Sequence, residues 1–175
     1  MRVVWLTALC ALAFSVDVST FADSTKDTMN ISSPAFAVGK PMPAKFAYKG
    51  PNISPPLHIS SVPANAKSLA LVVDDPDAPM GLWTHWLVWN LPATTSDIAE
   101  GAVPSGALQG MNSFGNAHYG GPAPPSGTHR YFFHLYALDT MLSLSSGSTR
   151  DALLAVMKGH VVGTGETFGT YSASP

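Results

Sequence analysis

Three short stretches of this chain gather residue types that bind ions or move protons. The first, Asp74-Asp75-Pro76-Asp77-Ala78-Pro79, sets three carboxylates within four residues. Carboxylates that close repel one another, so they stay ionised only beside cations or hydrogen-bond donors. Asp and Pro are also ordinary turn residues, and a turn is the simpler reading of this string taken alone. The second stretch, Trp83-Thr84-His85-Trp86, opens a hydrophobic run with a histidine, a place that a structural imidazole fills equally well. The third runs from Gly120 to Tyr131 and mixes Gly120, Gly121 and Gly127 with Pro122, Pro124 and Pro125 before His129-Arg130-Tyr131. Glycines let backbone N–H groups converge and prolines stiffen the loop, which beside a histidine suits a small anion. The expected donors are the backbone N–H groups of Gly120 and Gly121, with His85 and His129. The aspartates are expected to orient the imidazoles and raise their pKa values.

Strands must bring these stretches together. All prolines but Pro175 lie between Pro34 and Pro125, and proline cannot donate to a sheet ladder, so that part reads as short strands divided by rigid turns. Leu57 to Val62 and His85 to Leu91 alternate, while Leu69 to Val73 is continuously apolar, as a strand buried on both faces should be. Strict alternation sets His85, Leu87 and Trp89 against Trp86, Val88 and Asn90, with one tryptophan in the core and the other at a surface or interface. His129 to Leu138 is the longest candidate, with His129, Tyr131, Phe133 and Leu135 on one face. One helix is predicted near 149–158, capped by Ser148 with Asp151 as its partner and stopped at Gly159. Its stripe of Leu153, Val156 and Met157 is a packing face. A closing strand, Val161 to Tyr171, is expected to be broken at Gly163, Gly165 and Gly169. The fold class predicted is mostly β, two packed sheets with one late helix.

Composition narrows the function classes. Charged residues make up 11% of the 175 residues and hydrophobic ones 46%, which excludes a disordered chain. A net charge of −2 provides no basic field, so nucleic acid is not an expected partner. Met1-Arg2, the apolar run Val3 to Val16 and Thr20-Phe21-Ala22 form the pattern of a secretory signal peptide cleaved after Ala22. Residues 23–175 then form a single exported domain, periplasmic or secreted, without cysteine and without a further segment long enough to span a membrane.

The three motifs together resemble the phosphatidylethanolamine-binding proteins, in their short bacterial-type, kinase-inhibitor-like branch. D-P-D-A-P at 75–79, W-x-H at 83–85 and G-x-x-P-P-x-G-x-H-R-Y ending at Tyr131 match in order and spacing, and the likeness runs from about Ile31 to Tyr171. It implies a β-sandwich of two antiparallel sheets with a small anion-binding cavity at one end. Carried over residue by residue, the lining is Asp75, Asp77, Pro79, Trp83, His85, Gly121, Pro122, His129 and Tyr131. The implied ligand is phosphate or a phospholipid head group, with no cofactor. A homodimer is the default assembly that the resemblance implies. Only Ser-Ala-Ser-Pro follows Tyr171, where longer relatives carry a helix beside the pocket, so a gate built on that helix is not expected.

The same residues admit readings from other classes. Two histidines and two aspartates suit zinc, so a metal-dependent hydrolase is the alternative, although no H-E-x-x-H spacing occurs. A serine hydrolase is disfavoured because G-x-S-x-G is absent. A secreted interaction or inhibitor protein with a vestigial pocket is the third class. The expectation carried forward is a binding protein and not an enzyme.

Overall fold

The computed structural model describes residues 26–173, so the leader expected at 1–22 lies outside the described residues. In chain order the elements are β1 (Asp27–Thr28), β2 (Asn30–Ser32), β3 (Leu57–Ser60), β4 (Ser68–Asp75), β5 (Trp83–Pro92), β6 (Asp97–Ile98), β7 (Leu108–Gln109), β8 (Thr128–Leu138), α1 (Arg150–Met157) and β9 (Val161–Ser172). They make a larger sheet in the order β1-β9-β8-β4-β5-β7 and a smaller one in the order β2-β3-β6. The two sheets pack as the expected sandwich. All pairings are antiparallel except β1 with β9, which is parallel.

The continuously apolar β4 lies at the centre of the larger sheet, and every one of its residues is buried. Leu69, Leu71 and Val73 face the smaller sheet, where Ile31, Leu57, Ile59 and Ile98 meet Trp86, Val88, Phe133 and Leu135. Ala70 and Val72 face the other way, into a second core closed by Leu153 and Met157 of α1. Burial on both faces removes the need for alternation in β4, whereas full burial of only one face requires it in β8. Trp86 and Trp89 of β5 are both core residues: Trp86 sits between the sheets and Trp89 under the helix. The surface or interface position expected for one of them does not exist, because α1 covers the second face.

Two irregularities in β5 decide where its side chains point. Val73 pairs with Trp86 but Asp74 pairs with Thr84, so His85 is an extra residue, a β-bulge. A bulge inserts one residue and flips the alternation beyond it. Thr84 therefore faces α1, where its hydroxyl donates to Asp74 at 2.8 Å, and Asp74 also accepts from Arg150 Nε of the helix at 3.0 Å. His85 is turned the opposite way from Leu87 and Trp89, contrary to the alternation expected. Removing the buried Asp74 carboxylate leaves the Thr84 hydroxyl and Arg150 without their shared acceptor. Asp74→Ala is expected to lower stability by about 1–3 kcal/mol in urea unfolding. A second bulge near Asn90 (φ +58°) lets its amide bond both backbone groups of Leu142.

Two other expectations are corrected. The helix cap is Thr149, whose hydroxyl accepts from Ala152 N at 3.3 Å, while the Ser148 hydroxyl is turned back to Ser145 O. The closing strand is unbroken and pairs with β8 from Thr128–Ser172 to Leu138–Val161. Its glycines make room instead of ending it. A Cβ on Gly165 would lie 2.7 Å from Met29 O, so only glycine lets the N-terminal segment cross β9 at that height.

Candidate functional site

The bulge at His85 and the ends of β4 and β8 meet at one end of the sandwich. Asp75 is the last residue of β4, His129 the second of β8, and the three converge on a cavity of about 290 Å³. Its wall contains Asp75, Pro79, Trp83, His85 and His129 from the sequence motifs, together with Ala78, Met80, Phe114, Ala123 and Pro125. Three stretches of chain far apart in sequence thus supply one concave surface.

Each polar side chain is held from behind. His129 Nδ1 lies 2.7 Å from Asp75 Oδ2, and both residues are buried. Asp75 Oδ1 accepts from the backbone N–H of Asp77 at 2.8 Å, so both carboxylate oxygens are engaged. The carboxylate fixes the tilt of the His129 ring and leaves its Nε2 edge for other partners. His85 Nδ1 lies 2.6 Å from Gly120 O, and a carbonyl can only accept, so Nδ1 carries the proton. Gly120 N in turn donates to His85 O at 2.9 Å. Burial holds the His85 imidazole below its ordinary value, outweighing the Gly120 carbonyl and the nearby carboxylates. The expectation that aspartates raise the histidine pKa therefore fails at His85, because desolvation is the larger effect there.

Four residues expected in the lining lie outside the wall. Asp77 is a latch: its Oδ2 accepts from Arg130 N and Nε at 2.9 and 2.8 Å, and its Oδ1 accepts from Arg130 Nη2 at 2.6 Å. This ties the turn after β4 to the start of β8. The guanidinium holds the Asp77 carboxyl at about 2, below its ordinary 3.8. A lowered folded value contributes stability above the ordinary value, which is lost as pH falls through the folded one. Arg130→Met is expected to return the Asp77 carboxyl toward 3.8 and to remove that resistance to acid, as NMR titration of the carboxyl would read. An unchanged titration would mean that the pair does not form in solution.

Gly121 and Pro122 anchor the loop. Gly121 N donates to Asn52 Oδ1 at 2.8 Å and Tyr48 N to Pro122 O at 2.9 Å. The expected anion donors, the N–H groups of Gly120 and Gly121, are thus spent inside the protein. Tyr131 is buried and stands edge-on to His85 with ring centroids 5.1 Å apart. Its hydroxyl, raised by burial, remains a proton donor.

Sequence reasoning missed Phe114. Its ring stacks on Tyr48 at 4.2 Å and meets Trp83 and His85 edge-on at 5.4 and 5.5 Å. It lies in an irregular Gly/Asn-rich segment with no periodic signal, so only tertiary contacts reveal it. Met80 was also missed; it is 88% exposed at the mouth. Among the described residues no three His, Cys, Asp or Glu side chains gather as a metal site needs. Among the described residues, too, no helix is long and apolar enough to cross a membrane.

Comparison with known proteins agrees with this architecture. A family profile described as Phosphatidylethanolamine-binding protein matches residues 32–172. A protein of Methanothermobacter thermautotrophicus named UPF0098 is 47% identical, covering 82% of this chain and 98% of its own. The crystal structure of CT736, a phosphatidylethanolamine-binding protein homologue from Chlamydia trachomatis, superposes with a TM-score of 0.81 at 46% identity. It covers 85% of this chain and 99% of its own. A Mycobacterium tuberculosis protein bearing the lipoprotein name LppC is 46% identical, covering 78% of this chain and 68% of its own.

Proposed function

The chain belongs to the phosphatidylethanolamine-binding protein family, and from that premise we propose that its cavity binds a small oxyanion, phosphate or a phosphoryl head group. The observation that carries this reading is the pairing of His85 and His129 on one wall, each with Nδ1 tied to a fixed acceptor. Such clamping presets the imidazole edges and lowers the ordering cost of binding. The volume, about 290 Å³, falls at the small end of ligand pockets, which suits a head group and not an acyl chain. Asp75 does not defeat an anion, since both its oxygens already accept hydrogen bonds. The Asp75 bond at Nδ1 leaves His129 Nε2 free for a ligand in the cavity.

Calorimetric titration of inorganic phosphate into the protein tests the reading. One saturable site is expected; no saturable heat overturns it.

We also propose that residues 1–22 are a leader removed on export. The charged start, the apolar run and the Ala22 site support it, and so does the lipoprotein name of one relative. N-terminal sequencing of protein from its native host is expected to begin at Asp23, and an intact Met1 contradicts export by this route.

A further inference from the structure

The polar edges turned to the cavity are of opposite kinds. Trp83 and His85 both line it, and Trp83 Nε1 and His85 Nε2 are buried without a hydrogen-bond partner among the described residues. Indole N–H can only donate. His85 is the reverse case. Its Nδ1–H is committed to Gly120 O at 2.6 Å, so a neutral ring presents a bare lone pair at Nε2.

The groups around that ring do not satisfy it. On β4, Asp75 is bonded to His129 and Asp77, and Asp74 points to Thr84 and Arg150 on the opposite face. On β8, His129 is held by Asp75, and Tyr131 meets the ring edge-on, its hydroxyl likewise buried without a hydrogen-bond partner among the described residues and making no bond to His85. Arg130 is taken by Asp77. From the loop, Phe114 contributes only an uncharged ring. Burial disfavours a second proton on His85 itself. A fully ionised anion would therefore satisfy Trp83 but meet a lone pair at His85.

We propose that the cavity selects oxyacid groups that still carry a proton, namely singly protonated phosphate or a phosphate monoester, whose P–OH donates to His85 Nε2 while an anionic oxygen accepts from Trp83 Nε1. This rests on the reading of the cavity as an anion site. It deepens that reading by stating which ionisation state is bound. Leaving a buried group mismatched therefore discriminates against a fully ionised anion by about fivefold or more.

The test is a ligand panel on the wild-type protein at about pH 6, near the second ionisation of a phosphate monoester. Methyl phosphate and inorganic phosphate are expected to bind at least about fivefold tighter than sulfate, which has no proton to give. Dimethyl phosphate, a diester anion without a P–OH, is expected to bind as weakly as sulfate. That arm separates a free phosphate or monoester from the diester of a lipid head group. In His85→Gln the side-chain amide can present either N–H or C=O, so sulfate should gain and the phosphate-to-sulfate ratio should fall to within about threefold.

Sulfate or dimethyl phosphate binding as tightly as phosphate, with the same pH dependence, overturns the proposal while leaving the anion site standing. A ratio unchanged by His85→Gln also overturns it. Saturable binding of none of these ions overturns the anion reading itself.

Discussion

Gly121→Ala is expected to destabilise the protein by about 3 kcal/mol or more, the upper end of what overpacking costs. A Cβ there would overlap Phe46 O and sit 2.9 Å from the Ala47 carbonyl carbon. These are backbone atoms that cannot swing aside. The two segments are joined on both sides of the contact, by Tyr119 Oη donating to Phe46 O at 3.1 Å and by Tyr48 N donating to Pro122 O at 2.9 Å. Relief of the clash must therefore break one of those bonds or displace the loop that carries Gly120, the acceptor of His85 Nδ1–H. Urea unfolding measures the loss, and a change within about 0.5 kcal/mol, the range of neutral surface substitutions, would show that the approach is looser than described. Because the same loop fixes His85, a folded Gly121→Ala chain should also bind phosphate more weakly.

His129→Ala is the second large effect. It deletes an imidazole that is 7% exposed and bonded to Asp75 at 2.7 Å. Loss of a charge-assisted hydrogen bond of about 1.5–3 kcal/mol weakens phosphate binding by about tenfold to a hundredfold. Asp75 then faces the cavity with one oxygen unpaired, which adds repulsion of the anion. Asp75→Asn separates the two contributions: it removes the repulsive charge while the amide keeps one acceptor for His129. If His129→Ala binds phosphate as the wild type does, the cavity is not where the anion sits.

Much of this was legible because the signals are local. Continuous apolar residues in Leu69–Val73 forecast a strand buried on both faces, and the alternation from His129 to Leu138 forecast the face that packs against the smaller sheet. The two motif histidines, Asp75, Pro79 and Trp83 were read from the chain and line one cavity. What escaped depends on partners distant in sequence. The bulge at His85 exists because β4 and β5 change register between Val73 and Asp74, and nothing in Trp83-Thr84-His85-Trp86 announces it. Without the bulge, His85 would point under the helix. Gly165 looked like a strand breaker but admits Met29. Asp77 looked like a pocket residue but latches Arg130. A polar residue in a binding motif holds either the ligand or the residues that hold it, and spacing alone does not tell these apart.

His85 and His129 are proposed to face one anion site from two strands. This is tested most directly by recording long-range proton–nitrogen NMR spectra of the histidine rings while phosphate is added. Histidines in other surroundings serve as controls, since His58, His134 and His160 pair with Asp97, Glu166 and Asp139 in solvent-facing positions. The Nε2 signals of His85 and His129 are expected to move together along one saturation curve while those three stay in place. Shifts confined to the exposed histidines, or saturation with no response from either cavity ring, would contradict it.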